Sequence, residues 1–130
     1  MKVFLGGTVN GSKWRDDIIP LLKIDYFNPV VDVWDDEALI NEEEAKKTSD
    51  YFLFVITPKM NGFYSIAEVV DSSNKKPENT ILCILKSDDG DEWTPHQLKS
   101  ISQMEKMLRA NGAVVFDSLD EVVEFLNSKA

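Results

Sequence analysis

Tyr51-Phe52-Leu53-Phe54-Val55-Ile56 is an unbroken apolar run, closed by Thr57-Pro58 and followed by Lys59-Met60-Asn61-Gly62. A strand with one face in water alternates apolar and polar side chains, whereas one that is apolar at every position fits a sheet covered on both faces, as parallel sheets are. Shorter segments of the same character lie on either side, at Lys2–Leu5, Ile24–Phe27, Thr80–Leu85 and Ala113–Phe116. Helical patterns separate them. Ser12 is the expected cap of a first helix through Trp14 and Ile18, which Pro20 must kink or shorten. Asp35-Asp36 offer capping carboxylates to a second, acidic at its front and basic at its back, as the helix dipole favours. A third runs from about Phe63 to Ser73. Leu98, Ile101, Met104 and Leu108 mark one face of a fourth, ended by Asn111-Gly112, and Ser118 caps a fifth that carries Leu119, Val122, Val123 and Leu126. Val30–Trp34 either extends the second strand or starts a loop, and Ser87–Trp93 reads as an acidic loop. Five strands alternating with five helices predict an α/β fold, a three-layer α/β/α sandwich around a doubly wound, five-stranded parallel sheet of flavodoxin-like type. The 130 residues suffice for one such domain, spanning 1–130.

Fourteen Lys and Arg against 23 Asp and Glu leave a net charge of -9, which repels nucleic-acid polymers and anionic membranes unless a basic patch intervenes. The only basic doublets, Lys46-Lys47 and Lys75-Lys76, read as solvated helix ends. Cys83 is the single cysteine and stands in the apolar run Ile81–Leu85, which suits a buried thiol in a reducing compartment rather than a nucleophile. The start Met1–Leu5 turns into glycines, too short for a signal-peptide core, and no apolar run approaches the length of a membrane span. A cytoplasmic location is expected, with no metal and no other cofactor.

In open parallel sheets ligands bind beyond the carboxyl ends of the strands, where strand order reverses, so the loops after the first and third strands matter most. Gly6–Gly11 lets backbone amides approach an anion, or is a tight turn with no ligand. Gly6, Gly11, Ser12 and Lys13 transpose the last two residues of a P-loop, which argues against an NTPase. Arg15 either binds a phosphate bidentately or pairs with Asp16, Asp17 or another carboxylate. Trp14 and Trp34 either stack on a planar ring or pack on the sheet. Glu68 interrupts the apolar residues of the third helix, whose N-terminus should face the presumed pocket. It is either a carboxylate able to attack an electrophilic sugar carbon, or part of a solvent stripe with Asn61, Ser65 and Ser72. Glu42-Glu43-Glu44 has the composition of a solvated face. Asp50 belongs to the amino edge of the sheet and is read as structural, and His96 as exposed and inert. A phospho-acceptor receiver needs an aspartate where Ile56-Thr57-Pro58 stands, which discards that reading.

Gly6-Gly7-Thr8, Trp14-Arg15, Phe27-Asn28-Pro29-Val30-Val31, Trp34, Ser49-Asp50 and the run Gly62–Val70 together resemble the nucleoside 2-deoxyribosyltransferase-like family over about residues 1–86. The resemblance implies that Glu68 displaces the base from C1′ of a nucleoside or nucleotide as a glycosyl-enzyme ester, which a second base or water then releases. It implies Glu42 as proton donor, and Gly6, Gly7, Thr8, Trp14, Arg15, Asn61, Gly62 and Ser65 as substrate-binding positions. It also implies a homo-oligomer, since relatives often complete the pocket from a neighbouring subunit. Two positions depart from the family pattern. A carboxylate expected six residues before the nucleophile falls on Gly62, where Asn61 beside it can substitute only as a neutral hydrogen-bonding group, and a first-strand tyrosine falls on Phe4, which lacks the hydroxyl. Transfer or hydrolysis stays compatible with what is left. The alternative is a catalytically silent domain that binds or senses a nucleotide.

Overall fold

A computed structural model describes residues 1–130. In chain order the elements are β1 (Lys2–Gly7), α1 (Trp14–Ile18), β2 (Asp25–Phe27), α2 (Asp36–Thr48), β3 (Tyr51–Ile56), α3 (Tyr64–Lys75), β4 (Thr80–Ile84), a hairpin of β5 (Ser87–Asp88) and β6 (Asp91–Glu92), α4 (Pro95–Asn111), β7 (Val114–Phe116) and α5 (Leu119–Asn127). The apolar run of β3 is buried along its whole length, and each such side chain removed from water contributes roughly 1.5–3 kcal/mol. β1 pairs with it in parallel from Val3 opposite Tyr51 to Gly7 opposite Val55, and β4 lies along its other edge. The main sheet has the order β2-β1-β3-β4-β7, all parallel, with helices on both faces. This is the flavodoxin-like three-layer sandwich.

Alternate residues of the inner strands feed two cores. Val3, Leu5, Leu53 and Val55 pack with Trp14, Ile18, Val122 and Leu126 beneath α1 and α5. Phe4, Phe52, Phe54 and Ile56 face Val69, Ile101 and Leu108 beneath α3 and α4, with Ala45 of α2. β7 pairs with β4, so the last third of the chain contributes an edge strand to the same sheet. Cys83 of β4 is wholly buried, and desolvation pushes its thiol up to about 12.

Two local expectations are corrected. Lys13, not Ser12, holds the N-cap position of α1, with no side-chain cap bond; the Ser12 hydroxyl instead donates to Asp88 at 2.5 Å. α1 is a single turn or so, cut short as Pro20 enters a 3-10 turn over Ile19–Leu21, so it has little dipole or apolar stripe to organise a cap. The acidic stretch after β4 is the β5–β6 hairpin, not a plain loop, turned by Asp89 and Gly90 with φ of 50° and 86°, the left-handed pair that suits tight hairpins. Elsewhere Asp35 accepts from the Ala38 amide at 2.8 Å, Gly112 ends α4 in the left-handed region, and residues 30–34 form no regular structure.

Candidate active site

The chain leaves β1 toward β2 on one side and returns to β3 on the other, so the crevice of the sheet lies beyond the carboxyl ends of β1 and β3. Gly7 ends β1 with φ +116°, and a Cβ there would collide with the carbonyl oxygen of Val55. Only glycine lets the two strands close up at this point. At Gly6 a Cβ would lie 2.8 Å from the Phe54 ring, which leaves this position bare as well. The next residue locks the turn: the Thr8 amide donates to Val55 at 2.9 Å, and its hydroxyl accepts from the Thr57 amide at 3.0 Å.

Arg15 and Trp14 hold the same turn from beneath. The guanidinium donates to the carbonyls of Leu5 (3.1 Å), Thr8 (2.8 Å) and Gly7 (3.3 Å), and the Trp14 indole N–H donates to Thr8 at 2.9 Å. Arg15 has no carboxylate partner, so the ion-pair alternative is not the one formed. Burial lowers its pKa to about 10, against the opposing pull of Asp16, so it stays charged at neutral pH. Trp14 is 2% exposed in the α1–α5 core, packed rather than free to stack on a substrate ring. Trp34 is exposed at the cavity mouth.

A cavity of about 270 Å³ opens above the turn, lined by Phe4, Gly6, Gly7, Arg15 and Val9, by Val30, Val31 and Trp34 from the irregular loop, by Glu42 of α2, and by Ser65 and Glu68 of α3. A smaller one of about 190 Å³ adjoins it through Gly7 and Ser65 and contains Thr8, Asn61 and Gly62. The fold therefore brings together most of the residues singled out in the sequence. Glu68 is not part of a solvent stripe: its side chain is 16% exposed. The acidic run divides in the same way, with Glu43 and Glu44 exposed and Glu42 turned inward.

Lys46, read in the sequence as a solvated helix end, is the residue that sequence reasoning missed. Its ammonium lies 2.7 Å from Glu68 Oε2 and 3.4 Å from Glu42 Oε1, and 5.6 Å from the centre of the Phe4 ring. Burial pulls its pKa down, but pairing with Glu68 and the charges of Glu68 and Glu42 outweigh this and hold it above the ordinary lysine value. A signal was present: Glu42 and Lys46 are four apart, with Ala45, the one buried residue of α2, beside them. Asp50 accepts from the Lys2 amide at 2.9 Å at the opposite edge of the sheet, and His96 is exposed at the start of α4. No group of three or more His, Cys, Asp and Glu side chains is arranged to hold a metal ion.

Residues 1–87 match the family model described as nucleoside 2-deoxyribosyltransferase like. The chain belongs to this family. A comparison with curated proteins finds no match. Every residue around the 270 Å³ cavity of this nucleoside 2-deoxyribosyltransferase-like protein falls inside the matched segment, and no helix is long and apolar enough to cross a membrane.

Proposed function

We propose that this family member is an N-glycosyl enzyme that acts on a small nucleoside or nucleotide through a covalent intermediate on Glu68. One observation carries the reading: two mostly buried carboxylates from different helices, Glu42 and Glu68, line a single cavity above the glycine turn. A Glu68 oxygen attacks C1′ and forms the ester bond. The C1′–N bond breaks, its electron pair stays on the base nitrogen, and the base takes a proton from Glu42. A second base or water then attacks C1′, gives its proton back to Glu42 and frees the Glu68 carboxylate, the two-step logic of retaining glycosidases. Ser65, Asn61 and the Gly6–Thr8 backbone supply neutral groups for the sugar, while Arg15 and Trp14 serve by fixing the turn.

The test is release of free base from a panel of nucleosides and 5′-monophosphates, followed by chromatography. Wild type is expected to release base and Glu68→Ala to fall to background; equal release by both would overturn the reading. Adding a second free base separates transfer from hydrolysis. A second reading, a nucleotide-binding or sensing domain without turnover, draws on the ion pair that engages Glu68 with Lys46 and on Gly62, which brings no carboxylate. Saturable binding in calorimetry with no base release would favour it. Exposed Val30, Val31, Val33, Trp34, Phe63 and Tyr64 support a second copy closing the site, which sedimentation would detect. The lone buried thiol supports a reducing, cytoplasmic setting, and the net charge of -9 supports a small-molecule partner over a nucleic-acid polymer.

A further inference from the structure

Glu68 separates two cavities. One is the 270 Å³ cavity that holds Glu42, Ser65 and the glycine turn; the other, about 410 Å³, runs between α2 and α3 over Phe4, Phe52 and Phe54. Lys46 lines only the second. Its ammonium meets the carboxylate from this second cavity, and its side chain is two-thirds covered, resting near the rings of Phe4 and Tyr64 at 5.6 and 5.9 Å. No other cation is paired with Glu68, although Lys75 and Lys76, with Asp71, also line this second cavity.

We propose that Lys46 is a positioning residue for this site: it holds the Glu68 carboxylate at the shared wall, and its ion pairing passes to Glu42 when Glu68 is esterified. The inference rests on the glycosyl-transfer reading above. In the first step Glu42 gives its proton to the base as Glu68 becomes a neutral ester, so the carboxylate charge lost at Glu68 appears at Glu42. A carboxylate therefore faces Lys46 before and after the step, and the two contacts of 2.7 and 3.4 Å span both side chains without a shift of α2. A fixed countercharge of this kind needs no reorganisation during the reaction.

The experiment compares wild type, Lys46→Met and Lys46→Arg in base release, with thermal denaturation alongside and a crystal structure of Lys46→Met. The expected result is a kcat for Lys46→Met lower by about tenfold to a hundredfold, KM changed by less than about threefold, and recovery of most of the loss by Lys46→Arg. In the crystal the Glu68 side chain should leave its place on the shared wall. If Lys46→Met does not fold, Lys46→Gln replaces it with the same expectations. Unchanged kcat, equal failure of Met and Arg variants, or a Glu68 carboxylate unmoved in the crystal would each overturn the proposal. Glu68→Ala, run in parallel, keeps the two failures apart: base release that survives it removes the nucleophile, while base release that needs Glu68 but ignores Lys46 removes only the positioning role. The crystal decides whether Lys46 holds the carboxylate even if no substrate in the panel turns over.

Discussion

Gly7 shows how one residue sets the geometry of the whole crevice. Its positive φ and the Val55 carbonyl together forbid a side chain, so Gly7→Ala should cost more than about 2 kcal/mol in urea denaturation. Gly62→Ala is the control: nothing stands near the added Cβ, and a change within about 0.5 kcal/mol is expected. Cys83 makes a second prediction, on pH. Its folded pKa is raised from the ordinary 9.0 to about 12, so the buried neutral thiol contributes stability in full below about pH 9 and loses it as pH rises toward 12. The loss should run at up to about 1.4 kcal/mol per pH unit, and Cys83→Ala should flatten that part of the urea midpoint against pH. At this scale the sequence was legible where one residue contrasted with its neighbours, as Glu68 does among Ile66, Ala67, Val69 and Val70. It was opaque where like residues stood together. Within Lys46-Lys47, and within Glu42-Glu43-Glu44, the inward member is selected by how Ala45 seats α2 on the sheet, a tertiary contact. The same holds for Trp14 and Trp34, which composition cannot separate: one is beneath the turn, the other at the mouth.

Helix α4 carries its start signal in full. Thr94 accepts from the Gln97 amide at 3.1 Å while the Gln97 side chain accepts from the Thr94 amide at 2.8 Å. Thr94→Ala should therefore lower stability by about 1 kcal/mol, read as a shift in the urea midpoint. Ser12→Ala provides the contrast, because Ser12 caps nothing and forfeits only its bond to Asp88. Long elements were readable because their period repeats several times: the face of α4 and the unbroken run of β3 both appear as patterns. The β5–β6 hairpin was not, since two-residue strands contain no period, and only the Asp89-Gly90 pair hinted at a turn. α1 is too short to override local competition, so Ser12 reaches across to the hairpin instead of to its own helix.

Across the whole molecule, the order β2-β1-β3-β4-β7 follows from alternating strands and helices, and it fixes where a ligand can sit. The sequence thus located the crevice before its walls were visible. What it left open was the charge balance inside. Glu42 and Glu68 share Lys46, and Arg15 adds a buried positive charge bound to backbone carbonyls, so the site holds two cations for its two carboxyl groups within a chain carrying -9 overall. The central claim is that Glu68 meets the anomeric carbon of a bound sugar. Its most direct test is mass spectrometry of the protein quenched during incubation with the nucleoside and 5′-monophosphate panel. The account predicts a glycosyl adduct on the peptide containing Glu68, absent in Glu68→Ala; base release accompanied by an adduct on a different residue, or equal release from the variant, would contradict it.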